Sequence, residues 1–246
     1  MQVWRARVRL AFTLTELLFV VAIIAVLAAL LLPALAQSKR KAQQIQCVGN
    51  LHQQGLALNT FLAANSAYPL WIAPTNDPDG RWWAVQIERV GFGISSPAAD
   101  FYQKDVWCCP AANPRYGQIG ITPFYGYNAF GLLSVGNLTN NFGLLGHRSG
   151  NSVASQPIRE SEVAVPAEMM AIGESDAFAF MRAVGYDFYH RAFRHQEKVN
   201  VLFRDGHVES PTLSFLFTDT SDEALSRWNR DHQPHRERLA PRETLI

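Results

Sequence analysis

Residues 12–35 read FTLTELLFVVAIIAVLAALLLPAL, an apolar run with one charge near its start. From Phe12 to Leu32 the only ionisable side chain is Glu16. An α-helix needs roughly 20 such residues to cross the hydrocarbon core of a bilayer, so the pattern predicts a transmembrane helix over 12–33. Arg5, Arg7 and Arg9 precede it, and the positive-inside bias then predicts a cytoplasmic N-terminus and an extracytoplasmic remainder. A carboxylate inside a span costs roughly 2.5–3.5 kcal/mol and marks a functional position by default, unless it snorkels to the interface. A secretory signal peptide is the competing reading, with a cut after Ala34-Leu35-Ala36. The length of the run and the position of Glu16 argue against it.

The helical pattern continues over 34–66. Apolar or small residues recur at Ile45, Val48, Leu51, Gly55, Leu58 and Leu62, while Lys39, Arg40, Lys41, Gln43, Gln44, Gln53 and Gln54 form the polar side. This predicts an amphipathic continuation of the spanning helix. Pro69 disfavours helix at Tyr68 and ends it. A globular domain is expected over 67–217, built of short strands and large loops. Residues 74–80 are dense in turn formers. Trp82 to Val90 fits a short helix or a strand, and Glu168 to Gly173 a buried strand. Val199 to Phe203 and His207 to Ser210 fit a β-hairpin turning at Asp205-Gly206. The charged stretch 218–246 reads as a surface tail with limited order. The fold class expected is α+β: a long N-terminal helix packed on an antiparallel sheet.

Composition adds little. The chain has 246 residues, and 22 Lys+Arg against 21 Asp+Glu give no electrostatic case for a nucleic-acid partner. No internal repeat or low-complexity tract is present.

Candidate chemistry centres on His190, His195, Asp205 and His207, with Glu174 and Asp176 upstream. Imidazoles and carboxylates at strand ends suit Zn²⁺ or Ca²⁺, or acid–base work. The alternative is structural: Asp205-Gly206 is a turn, and His195 hydrogen-bonds to it. HExxH, paired CxxC and GxSxG motifs do not occur, so no enzyme is expected and no catalytic residue is assigned. Any cofactor is at most a structural metal ion. Trp71, Trp82, Trp83, Trp107 and Trp228, with the tyrosines of 125–127, form either a carbohydrate-stacking platform or core anchors. Cys47, Cys108 and Cys109 would meet an oxidising compartment beyond the membrane.

The string A-F-T-L-T-E-L-L resembles the prepilin leader motif of type IV pilins and type II secretion pseudopilins. The resemblance implies a leader over 1–11, cleavage between Ala11 and Phe12 by prepilin peptidase, and N-methylation of Phe12. The family has Gly where this chain has Ala11. The resemblance further implies that Glu16 of one subunit neutralises the new terminus of its neighbour during assembly, a register device that makes each buried charge less costly. Pro33 falls where these proteins often carry a helix proline. His195, nine intervening residues and Asp205-Gly206 resemble the H-X9-DG signature of a bacterial pilin-like family. C-V-G-N-L-H-Q-Q-G-L-A-L-N (47–59), W-C-C-P-A (107–111), Y-G-Y-N (125–128), the segment 161–175 and W-N-R-D-H-Q-P-H (228–235) fit the same family. The match implies a Cys47–Cys109 bridge, closing a loop of about 60 residues and contributing roughly 3–4 kcal/mol in the chain-entropy model. Cys108 would be left over. The implied function is a structural subunit of a pseudopilus or pilus in the bacterial inner membrane. Its partners would be the peptidase, other pilin-like subunits and the secretion or pilus assembly platform. A membrane-anchored polysaccharide-binding module and a metal-dependent hydrolase using His195, Asp205 and His207 are the alternatives.

Overall fold

The computed structural model describes residues 13–71, 82–97, 101, 105–112, 124–132, 141–147, 156–175 and 194–239. The leader 1–11, Phe12, the turn-rich stretch 74–80, Asp176 and His190 lie outside them. The chain divides into two compact units, 1–42 and 43–246.

Helix α1 runs from Leu14 to Asn65. Thr13 and Glu16 form a capping box at its start: Glu16 N donates to Thr13 Oγ1 at 3.3 Å and Thr13 N donates to Glu16 Oε2 at 2.9 Å. In the first unit the apolar side chains stand outside any core, as Leu14 (81% exposed), Phe19 (74%) and Leu32 (65%) show. The segment is long and apolar enough to cross a membrane. Pro33 lies inside the helix, where its missing N–H leaves the Ala29 carbonyl without its usual donor. At the other end Ser66 adopts a left-handed φ of 54° and its N–H returns to the Leu62 carbonyl at 2.7 Å, the helix stop usually built on glycine.

The second unit is built around an antiparallel sheet in the order β1-β2-β3-β4, comprising β1 (Tyr125–Tyr127), β2 (Met170–Glu174), β3 (Val201–Phe203) and β4 (Val208–Glu209). A long helix and an antiparallel sheet make the chain α+β. The strand expected at 168–173 forms over Met170–Glu174, and the hairpin forms from β3 and β4. The segment Trp82 to Val90 is helical from Trp83 onward, with α2 (Trp83–Gln86) widening into a π-turn over Ile87–Gly91.

The expected face of α1 needs correction. Leu51, Gly55, Leu58 and Leu62 are buried as predicted, but Ile45 is 72% exposed, and Gln54, assigned to the polar side, is fully buried. The contact stripe is set by what the helix meets. Leu202 of β3 packs over Gly55, where an added Cβ would come within 2.8 Å of Leu202 Cδ1. Cys47, Leu51, Leu58, Leu62, Tyr125, Tyr127, Ile172 and Leu202 share one core cluster. Within it Trp83 stacks on Tyr127, with centroids 5.0 Å apart, and Trp107 meets Trp83 edge-on.

The stretch from Thr218 is also not a tail over its described part, 218–239. Strand β3 is buried at every position. Leu202 faces the α1 side, while Met170, Val201 and Phe203 point to a second cluster with Leu216, Phe217, Leu225 and Trp228. Helices α3 (Leu213–Phe217) and α4 (Asp222–Ser226) supply that cover. Asn128 joins the two faces, donating through Nδ2 to the carbonyls of Met170 (2.8 Å) and Trp228 (2.9 Å). Asn229 accepts from Leu132 N at 3.0 Å, and Arg230 donates to Asn141 and Gly143 carbonyls.

Glu88 is an electrostatic weak point of the core. It is 5% exposed, and Oε1 accepts from Trp107 Nε1. Oε2 has no partner among the described residues. Burial, with the Asp105 charge adding, pushes its carboxyl above the usual range. A raised folded-state pKa means the protonated form is the one the fold favours, so stability falls as pH rises through that value. Glu88→Gln is therefore expected to raise Tm at pH 7, with the gain shrinking as pH falls through the folded-state value and levelling off below about 4.3, the unfolded one. Melts at both pH values check this; a variant no more stable than the parent at pH 7 would refute it.

Candidate functional site

Three polar side chains on α1 project onto the Cys-Pro segment. Gln43 Nε2 donates to the Pro110 carbonyl (2.9 Å), Asn50 Nδ2 to Cys108 (2.9 Å) and Gln54 Nε2 to Val106 (2.7 Å). Positions 43, 47, 50 and 54 form one stripe at spacings of four, three and four. Between the amides on that stripe Cys47 is bridged to Cys109, with Cα atoms 5.4 Å apart. The pairing agrees with the one the resemblance implied. Cys108 is free and half-buried, and burial pushes its thiol up, which makes it a poor nucleophile.

Beside the bridge lies a buried acid–imidazole pair. Glu174 ends β2, and its Oε1 accepts from His195 Nε2 at 2.8 Å. Both side chains are almost fully shielded, at 2% and 1%. Asn200 completes the carboxylate's shell: its backbone N–H donates to Oε2 at 2.9 Å and its Nδ2 to Oε1 at 3.1 Å. Ser210 Oγ in turn donates to Asn200 Oδ1 at 2.6 Å. Cys109 Sγ stands 3.5 Å from Glu174 Oε1 and 3.6 Å from His195 Nε2. A tight turn presents His195. Gln196 and Glu197 both have positive φ, 55° and 64°, and Lys198 N closes back on the His195 carbonyl at 3.3 Å. Two consecutive left-handed non-glycine residues cost roughly 1–2 kcal/mol each, so surrounding contacts must hold the turn.

The sequence-predicted partnership of His195 with Asp205 is corrected. His195 bonds to Glu174, whereas Asp205 Oδ1 accepts from His207 N (3.1 Å) and His207 Nδ1 (2.6 Å) at the half-exposed hairpin tip. The proposed metal set therefore divides: Glu174 and His195 are together, Asp205 and His207 form their own pair, and Asp176 lies outside the described residues. The grouping the sequence missed is Cys47, Cys109, Glu174 and His195, all buried, with one ligand atom each within 4.8 Å of the others. No short-range signal links these positions. They meet only when the helix, the Cys-Pro segment, β2 and the turn before β3 assemble.

Gly206 has φ 100° and its N–H donates to the Phe203 carbonyl at 3.0 Å. That conformation is why the turn carries glycine. The nearest atom to an added Cβ would be Asn59 Nδ2 of α1, at 3.4 Å. Thus the two ends of the H-X9-DG spacing serve different contacts, one in the sheet interior and one against the helix.

Three of the five tryptophans considered for a stacking platform, Trp83, Trp107 and Trp228, are buried. No family model, curated protein or solved structure matches this chain in the comparisons.

Proposed function

We propose that this chain is a structural, pilin-like subunit of a type II secretion-like or type IV pilus-like filament. The carrying observation is α1 itself: one uninterrupted helix whose first half is apolar and exposed and whose second half is a wall of the folded unit's core. A helix apolar all round requires lipid or other helices around it. Its one charged residue before Lys39, Glu16, sits in the first turn, next to the terminus that cleavage after Ala11 would create. In this reading the leader is cytoplasmic and is removed by prepilin peptidase, the folded unit is extracytoplasmic, and neighbouring subunits pack through their N-terminal helices. No specific observation favours polysaccharide binding or hydrolysis over this.

Intact mass and N-terminal peptide mapping of the protein from its native membrane test the proposal. The expected result is a mature chain beginning at Phe12 and carrying one N-methyl group. A terminus near Gln37 would overturn it in favour of secretion after signal cleavage, and an intact leader on all copies would remove the assembly step.

A further inference from the structure

We propose that the reduced form of this protein is a zinc site whose ligands are Cys47, Cys109, Glu174 and His195, so that disulfide and metal are mutually exclusive states of one cluster. The inference does not rest on filament assembly.

The donor set suits the ion. Two thiolates and one imidazole are soft-to-borderline ligands, Zn²⁺ also accepts a harder carboxylate oxygen in tetrahedral sites, and two sulfurs disfavour Ca²⁺ or Mg²⁺. Bonds of about 2.0–2.3 Å place tetrahedral donors about 3.3–3.8 Å apart. Cys109 Sγ already stands 3.5 Å from Glu174 Oε1 and 3.6 Å from His195 Nε2. The direct contacts must open, namely the S–S bond and the 2.8 Å hydrogen bond between His195 and Glu174, which coordination replaces, and the remaining donor atoms, all within 4.8 Å of one another, close on the ion. The outer shell is in place, since Asn200 N holds Glu174 Oε2 at 2.9 Å and Asn200 Nδ2 supports Oε1 at 3.1 Å, with Oε1 beside Cys109 Sγ. All four residues are buried, so thiolates formed there would lack solvent compensation, and a divalent cation supplies it.

The exchange balances. A dithiol reductant transfers two electrons and two protons to the Cys47–Cys109 bond and becomes a disulfide itself. Zn²⁺ then displaces the two thiol protons to solvent, and His195 coordinates through Nε2 as the neutral Nδ1–H tautomer, its one ring proton having moved from Nε2 to Nδ1. In the bridged protein both sulfurs are consumed and only two ligands remain.

The test uses the full chain in detergent, divided into phosphine-reduced and untreated samples, each exposed to Zn²⁺ and desalted without oxygen. Elemental analysis is expected to give about one zinc per reduced chain and under about a tenth of that in the bridged chain. Co²⁺ substituted into the reduced chain should show thiolate charge-transfer absorption for two sulfurs and visible bands of tetrahedral intensity. His195→Gln and Glu174→Gln should each weaken binding by about 10–100-fold, at least the cost of losing an outer partner, and Cys108→Ser should leave it unchanged. Circular dichroism of each reduced, metal-free variant checks folding; where a variant unfolds, the cobalt spectrum of the parent decides. Zinc absent from a folded reduced chain, equal zinc in the bridged chain, binding indifferent to both substitutions, loss in Cys108→Ser, or a cobalt spectrum lacking two thiolates would each overturn the proposal.

Discussion

Glu16→Gln is expected to leave membrane insertion intact and reduce cross-linked multimers in native membranes by at least about tenfold. The glutamine variant is the informative one because Glu16 also caps its own helix, accepting from Thr13 N at 2.9 Å and Thr13 Oγ1 at 2.7 Å. Glutamine can take the same place in a capping box, so it removes charge and keeps the helix start. Glu16→Ala removes both. An unpaired charge within a span costs roughly 2.5–3.5 kcal/mol, about a hundredfold in an equilibrium, and a paired terminus would lose a comparable amount. If Glu16→Gln forms multimers as the parent does while Glu16→Ala does not, Glu16 is a cap and the pairing with a neighbour's terminus is wrong.

The second large effect belongs to the buried pair. His195→Ala or Glu174→Ala is expected to lower stability by about 3–5 kcal/mol, the usual result of removing one member of a buried ion pair or its equivalent. Glu174 is the more demanding of the two, because its loss also orphans the Asn200 N–H and Nδ2 that it satisfies. Asp205→Asn, at the half-exposed hairpin tip, should cost less than about 1 kcal/mol. Denaturant unfolding of the full chain under non-reducing conditions measures all three. A His195→Ala change within 1 kcal/mol of the parent would mean that the turn at Gln196-Glu197, and not the imidazole, holds this region.

Part of the site was legible in the order of residues. The hairpin and Gly206 as its turn residue followed from local turn chemistry, the Cys47–Cys109 pairing was implied only by the family resemblance, and the structure has all three. The partner of His195 was not legible. Nearness in sequence suggested Asp205, but His195 projects into the sheet interior before β3 starts, while Asp205 comes after β3 has run its length and is turning outward. Glu174 ends β2 and Asn200 immediately precedes β3, the two joined by the hydrogen bond from Glu174 N to the Asn200 carbonyl (3.1 Å), and strand pairing is a long-range choice that no local window contains.

The apolar run, its length and the isolated Glu16 are properties of consecutive residues, so the sequence alone determined that α1 starts as a candidate span. It also determined the helical period through residue 65. Which side of that helix would be buried was a tertiary decision. Gln43 and Gln54 look like part of a solvent face until the Val106 and Pro110 carbonyls require donors. A buried amide is stable only when such partners exist, and those partners lie more than fifty positions away. The same holds for the last described segment. Its charges suggested solvent, but a sheet with one face on α1 still has another face to cover, and Leu216, Leu225 and Trp228 are the residues that cover it.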